Sequence, residues 1–130
     1  MSSARRPINA PDAPAAIGPY VHAVAANGLL FCSGQIPLDP ASGELVGTTP
    51  AEQAQQCLEN LRAVVSAAGG SLADAVRVTV YLTDMGAFAE VNEVYGRFFA
   101  DDPPARVAIG VAALPKGAQV ELDAVVLLPG

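Results

Sequence analysis

The sequence predicts an α+β fold in which one mixed β-sheet carries two helices on one face. Three observations support this prediction: two short apolar runs flank a turn signal, two segments repeat apolar residues at helical spacing, and the last third of the chain alternates apolar and polar residues. A chain of 130 residues suits one hydrophobic core. We expect a single domain over residues 13–130, preceded by a flexible N-terminal segment over residues 1–12.

The first predicted element is a β-hairpin. Its strands lie between Val21 and Ser33, and Asn27-Gly28 between them favours the positive φ angles of a tight turn. The following stretch, Pro37 to Thr48, contains Asp39-Pro40 and Ser42-Gly43. These turn-forming pairs predict a surface loop.

A helix is predicted from about Pro50 to Ala68. Thr49 can cap it, Pro50 suits its first position, and Glu52 completes a capping box. Gly69-Gly70 marks its end. Its expected buried stripe consists of Ala54, Cys57, Leu58, Leu61, Val64, Val65 and Ala68.

A strand, a second helix and a final pair of strands are predicted to follow. Asp84 is the expected cap of the helix, and Asp101-Asp102-Pro103-Pro104 ends it. The core face of the first strand is expected to carry Val76, Val78, Val80 and Leu82, and the helix is expected to bury Phe88, Val91, Tyr95, Phe98 and Phe99. In the last two strands, Val107, Ile109 and Val111 alternate with Arg106, Ala108 and Gly110, and Val120, Leu122, Ala124 and Val126 alternate with Glu121 and Asp123.

The composition favours self-association. Hydrophobic residues make up 52% of the chain and charged residues 15%, where soluble domains average about 25% charged residues. No apolar run approaches the roughly 20 residues of a membrane helix. Burial of apolar surface against further copies of the chain explains this composition, although a general bias toward alanine and valine also would.

Charge and cysteine content exclude several classes of function. The net charge is −6, Lys116 is the only lysine, and no apolar segment of a secretory signal follows Arg5-Arg6. Nucleic acid and membrane are therefore unfavourable partners. Cys32 and Cys57 are interpreted as reduced core thiols of an intracellular protein. His22 has no close ligand pattern around it, so we expect a strand residue there and no metal site.

Arg106 and Glu121 are the candidates for chemistry. Each lies in a predicted strand beside apolar residues. An arginine fixed by a strand can bind a carboxylate with two hydrogen bonds, and a glutamate in a partly dry pocket can accept a proton near neutral pH. Together they suit a small anionic substrate attacked by water. Taken singly, each is more often a solvated strand residue or half of a surface ion pair.

Three further polar residues have two interpretations each. Asn92 is on the expected buried stripe of the second helix, where it is expected either to bind the backbone of a loop or to contact substrate. Tyr20 closes a pocket or anchors the terminus. Ser33, where the hairpin ends, contacts a ligand or only the turn. The sequence contains no phosphate-binding glycine loop, CxxC pair or Gly-x-Ser-x-Gly elbow.

Six motifs occur in order between about Ala13 and Leu127: Ala13–Tyr20 (APAAIGPY), Ser33–Pro37 (SGQIP), Val91–Tyr95 (VNEVY), Pro104–Arg106 (PAR), Leu114–Gly117 (LPKG) and Val120–Ala124 (VELDA). With these motifs the chain resembles the RidA/YjgF family, also labelled endoribonuclease L-PSP. The resemblance implies a chorismate-mutase-like fold and a cytoplasmic homotrimer with clefts between subunits. The implied activity is hydrolysis of 2-iminopropanoate and 2-iminobutanoate to 2-keto acids and ammonia, without metal or organic cofactor.

The resemblance also implies roles for individual residues. Arg106 is expected to bind the substrate carboxylate, Glu121 to position or deprotonate water, and the backbone of Ala108 to meet the imine nitrogen. Tyr20, Ser33 and Asn92 are expected to line the cleft. Val107-Ala108 departs from the small polar residue and cysteine that often follow Pro-Ala-Arg in relatives, so substrate preference is left open. Endoribonuclease activity with translation inhibition, and non-catalytic binding of small carboxylates by a regulator, are the alternative functions.

Overall fold

The computed structural model describes residues 4–130, which form one six-stranded sheet with two helices. The strand order is β1-β2-β3-β6-β4-β5, and every neighbouring pair is antiparallel except the parallel pair β4–β5. The elements are β1 Arg6–Ile8, β2 Ala23–Ala26, β3 Leu29–Gln35, α1 Pro50–Ala67, β4 Ala75–Leu82, α2 Phe88–Phe98, β5 Ala105–Gly110 and β6 Val120–Leu127. The predicted α+β class, mixed sheet and pair of helices are confirmed.

The local signals of the first hairpin and of α1 are confirmed. Asn27 and Gly28 have φ of 52° and 79° in the turn between β2 and β3. At the start of α1, the Thr49 side chain accepts a hydrogen bond from the Glu52 backbone N–H, and the Glu52 side chain accepts one from the Thr49 N–H. The expected stripe is buried except for Ala68, which is partly buried.

Asp84 and Val76 differ from their predicted positions. Asp84 caps a short 3₁₀ turn over Met85–Ala87, because its side chain accepts from the Gly86 N–H, and α2 begins only after this turn. Val76 is 47% exposed rather than in the core. An irregularity in the β4–β6 register between Ala75 and Arg77 shifts the alternation by one residue, so Ala75 takes the buried position.

The N-terminal segment contains more structure than the sequence indicated. Residues 1–12 were expected to be a flexible segment, but Arg6–Ile8 pair with β2 as the edge strand β1. Ile8 and Ala10 are buried and belong to the hydrophobic core. Strand β1 was not predicted, because its three residues are too few to show a period. Residues 1–3 lie outside the described residues.

One face of the sheet is covered by the two helices, and the other face is open. Val78, Val80, Leu122 and Val126 lie on the face packed against α1 and α2 and are almost fully buried. The other face is open in the single chain, and exposes Phe31, Val107, Ile109 and Leu127. Within residues 4–130, neither helix is long and apolar enough to cross a membrane.

Candidate functional site

A pocket of about 540 Å³ lies at one end of the sheet. Its walls come from the segment before β2, the end of β3, the turn after β5 and the start of β6. Apolar side chains supply much of the lining, including Ile17 and Ile36. Three of the predicted site residues, Tyr20, Ser33 and Glu121, line this one pocket.

Glu121 lies on β6, with its side chain on the open face of the sheet. It pairs with Tyr81 of β4 and is half-buried. Its carboxylate lies against Gly34 so closely that a Cβ atom at Gly34 would overlap Glu121 Oε2. Gly34 thus provides the space that the carboxylate occupies.

The surroundings of Glu121 favour its protonated form. Burial raises the pKa of this carboxyl group above its ordinary value, and the negative charge of Asp123 raises it further. A carboxylate with a raised pKa is a stronger proton acceptor than one in water. Glu121 therefore combines a position in the wall of the pocket with a raised affinity for a proton.

Tyr20 and Ser33 are fixed by backbone hydrogen bonds. Ser33 Oγ donates to the carbonyl oxygen of Val21 at 2.7 Å, which joins β3 to the segment before β2. Tyr20 Oη accepts from the Ile17 N–H at 3.4 Å, and the Tyr20 side chain remains 49% exposed. Tyr20 lines the pocket and also stabilises the local loop, so both interpretations of this residue stay open.

Arg106 lies on the edge strand β5, away from this pocket. Its Nη1 donates to Asn92 Oδ1 of α2 at 2.6 Å. The guanidinium carbon lies 5.2 Å from the ring centroid of Phe88 and 4.8 Å from that of Tyr95. Arg106 is exposed, and these contacts fix its side chain while its remaining N–H groups stay available.

Asn92 differs from its prediction. It was expected on the buried stripe of the second helix, but it is exposed, and Val91, Val94 and Tyr95 form the buried side of α2. Its contact with Arg106 gives it a structural role that neither sequence interpretation described. Asn92 follows Phe88 by four residues, so helical spacing put it on the expected buried stripe. In the structure, Asn92 instead contacts Arg106 of the edge strand β5.

Arg106 and Glu121 are not brought together within one chain. Arg106 pairs with Val78 and shares the helix-covered face, whereas Glu121 pairs with Tyr81 on the open face. Strand β4 also separates their two strands. Ala108 lies on the Arg106 side, opposite Val80. The predicted residues thus form two groups, Arg106 with Asn92 and Ala108, and Glu121 with Tyr20 and Ser33.

Sequence reasoning missed Gly34, Tyr81 and Asp123 as neighbours of Glu121. The Tyr81 hydroxyl donates to Asp123 Oδ2 at 2.8 Å. The signal for Asp123 was its spacing of two residues from Glu121, which places both carboxylates on one face of β6. Tyr81 gave no signal, because the pairing of β4 with β6 had to be known.

The cysteines are free and buried, as predicted. Burial, followed by the charge of Asp123, raises the pKa of Cys32 to about 12, and burial raises that of Cys57 well above its ordinary value. Thiols with such pKa values are poor nucleophiles at neutral pH. Cys32 and Cys57 are therefore core residues in this chain.

Comparison with known proteins places the chain among related sequences. The family model for endoribonuclease L-PSP matches residues 10–128. The chain belongs to this family. A RutC family protein of Sinorhizobium fredii is 52% identical over 122 residues, covering 94% of this chain and 97% of that protein. The human 2-iminobutanoate/2-iminopropanoate deaminase is 46% identical over 123 residues, covering 95% and 90%.

Solved structures of the family share the fold. The crystal structure of Escherichia coli TdcF with bound serine matches with a TM-score of 0.90 and 40% identity, covering 95% of this chain and 99% of that chain. The predicted RidA-type fold and family membership are therefore confirmed.

Proposed function

We propose that this protein hydrolyses 2-iminopropanoate and 2-iminobutanoate to the corresponding 2-keto acids and ammonia. The observation that carries the proposal is the half-buried Glu121 carboxylate in a pocket with Tyr20 and Ser33. Its raised pKa suits proton transfer to and from water. The human relative that is 46% identical is named for this activity, which supports the choice of substrate.

In the proposed mechanism, Arg106 binds the substrate carboxylate through a pair of hydrogen bonds. Glu121 accepts a proton from water as the water oxygen bonds to the carbon of the protonated imine and the C=N π electrons move to nitrogen, which gives a neutral carbinolamine. The protonated Glu121 then gives this proton to the amino nitrogen, which becomes NH3⁺. The C–N bond breaks, its electrons leave with nitrogen as ammonia, and the hydroxyl proton passes to the Glu121 carboxylate, which yields the keto acid. Imine hydrolysis has a low intrinsic barrier, so positioning and one general base suffice.

This mechanism requires two chains at each site. Because Arg106 and Glu121 are on opposite faces of one sheet, the carboxylate-binding group and the base reach the same substrate only if neighbouring subunits contribute one each. Arg106 is well placed for this, since it is exposed on the outermost strand of the sheet. We therefore propose a homotrimer whose sites lie between subunits, with the backbone at Ala108 next to the imine nitrogen.

The direct test is an imine-hydrolysis assay. A pyridoxal-phosphate-dependent dehydratase supplies the imine, and semicarbazide competes for it as a chemical trap. The wild-type protein is expected to reduce semicarbazone formation, and Glu121→Gln to lose on the order of a hundredfold in rate while still binding carboxylates. Equal rates for Glu121→Gln and wild type would exclude Glu121 as the base. RNA cleavage at physiological salt that is lost in Arg106→Ala would favour the ribonuclease function instead.

Binding of a small carboxylate without turnover is the second candidate. It is favoured by the bound serine in the related TdcF structure, because serine carries a carboxylate that an Arg106-type group would bind. A regulator of this kind would bind 2-keto acids and leave semicarbazone formation unchanged. The same assay, combined with calorimetric titration of a 2-keto acid, separates the two functions.

A further inference from the structure

Tyr81 and Asp123 form a hydrogen-bonded pair next to Glu121 to which the proposed reaction assigns no role. Tyr81 pairs directly with Glu121 across β4 and β6, and Asp123 follows Glu121 by two residues on the same face. Residues at this spacing on a strand lie about 7 Å apart along the chain. The Tyr81 hydroxyl donates to Asp123 Oδ2 at 2.8 Å, and both side chains are partly buried.

This geometry holds two carboxyl groups close together where water is limited. The hydrogen bond from Tyr81 fixes the direction of the Asp123 carboxylate, and Gly34 allows the Glu121 carboxylate to lie flat against β3. Neither acid has a salt bridge in residues 4–130. Like charges held near each other in a partly buried site disfavour the second ionisation.

We propose that Asp123, held by the Tyr81 hydroxyl, is a positioning residue for proton transfer at Glu121, because its fixed negative charge makes the Glu121 carboxylate a stronger base toward water. The inference rests on the proposed function, in which Glu121 is that base. The effects on neighbouring groups agree with this arrangement. Asp123 contributes to the raised pKa of Glu121, and its hydrogen bond is the main cause of the raised pKa of Tyr81.

Other titratable groups also lie near Glu121, but Asp123 is the charged group that contributes to its raised pKa. Lys116 and Tyr20 line the same pocket, and the Lys116 Nζ donates to the carbonyl oxygen of Gly43. Cys57 of α1 lies on the helix-covered face, and burial, followed by the charge of Glu121, raises the pKa of its thiol. Arg77 of β4 pairs with Val125, which follows Asp123 by two residues and lies on the same face of β6. Asp123 is thus the acidic group nearest to Glu121 along its own strand.

The test is titration of the Glu121 side-chain carboxyl carbon by NMR in the intact protein without substrate. Asp123→Asn keeps the shape and removes the charge, so we expect the Glu121 midpoint to fall by about one pH unit. Tyr81→Phe frees the Asp123 carboxylate to turn toward water, where its charge is screened, and should give a smaller fall. Glu90→Gln, which removes an exposed charge on α2, should leave the midpoint unchanged.

Kinetics separate this inference from the proposed function. Activity that depends on ionised Glu121 rises with pH through its pKa, so the acid limb of kcat/KM should move to lower pH with the NMR midpoint in Asp123→Asn. An unchanged or higher Glu121 midpoint in well-folded Asp123→Asn would overturn the inference, and an unchanged midpoint in Tyr81→Phe would overturn the role of the hydroxyl. A shifted midpoint with an unshifted acid limb would support the charge effect and contradict Glu121 as the base.

Discussion

At the residue scale, the side chain of Arg106 is oriented by groups that do not neutralise it. Asn92 accepts one hydrogen bond and two aromatic rings lie beneath the guanidinium, while neither salt bridge within residues 4–130 involves Arg106. A guanidinium fixed in this way keeps its planar donors for an incoming carboxylate. A flexible ammonium group could not make the same contacts with Asn92 and the two rings, so we expect lysine to be a poor replacement.

Arg106→Lys is expected to lower kcat/KM at least about tenfold, which corresponds to about 1.4 kcal/mol of transition-state stabilisation. The charge is kept, but the paired hydrogen bonds to the carboxylate and the contact with Asn92 are lost. Arg106→Ala should be worse, and the melting temperature should change little because Arg106 is exposed. Arg62→Lys is the matched control, since Arg62 also stacks on a ring, that of Phe98. Normal turnover in folded Arg106→Ala would contradict the assigned role.

Gly34→Ala should reduce turnover, because the added methyl group displaces the Glu121 carboxylate from its position in the pocket. The added methyl group would occupy the position of Glu121 Oε2, so the carboxylate must turn out of the pocket. A shift of this size in a catalytic group can cost on the order of a hundredfold in kcat. Gly96→Ala is the control, because a Cβ there meets nothing within 4 Å and α2 should gain stability. Equal activity of Gly34→Ala and wild type would show that the position of the Glu121 carboxylate is not critical.

At the element scale, the N-terminal segment is tied to the sheet by His22. This buried histidine accepts a hydrogen bond from the Ala10 N–H at Nδ1, at 2.8 Å, so Nε2 carries the proton and donates to the carbonyl oxygen of Pro14 at 2.7 Å. The chain between these contacts and Tyr20 forms one wall of the pocket. His22 therefore links β1 to the site.

His22→Leu is expected to lower the free energy of unfolding by about 1–3 kcal/mol, because two buried backbone groups lose their partners. His22→Gln, whose amide can both accept and donate, should retain most of that stability. Urea denaturation of both variants gives the comparison, and limited proteolysis shows whether residues 4–20 come loose. Equal stability of His22→Leu and His22→Gln would contradict the hydrogen-bonding account.

The elements differ in how far the sequence could predict them. Helix α1 was predictable to within one residue because its capping box and terminal glycines are local signals. Strand β1 and the exposed position of Val76 were not, because they depend on pairing with β2 and on the register of β4 against β6. For the same reason, the sequence identified Arg106 and Glu121 as unusual but could not show that they lie on opposite faces.

At the scale of the whole molecule, the open face of the sheet explains the apolar composition. Phe31, Val107, Ile109 and Leu127 are each between 39% and 55% exposed in the single chain. Patches of this kind mark association surfaces. We expect sedimentation equilibrium at micromolar concentration to give the mass of three chains, and a monomer alone would contradict the proposed assembly.

The central claim, that each site combines Arg106 of one chain with Glu121 of another, is tested most directly by mixing two inactive variants. Arg106→Ala and Glu121→Gln are co-expressed with different tags, and trimers that contain both tags are isolated. In a cyclic trimer that contains both variants, one of the three interfaces combines both intact residues, which is about one third of the sites. We therefore predict imine hydrolysis at about one third of the wild-type rate in the isolated mixed trimers, with far less in either variant alone. Mixed trimers no more active than the separate variants would contradict a site shared between chains.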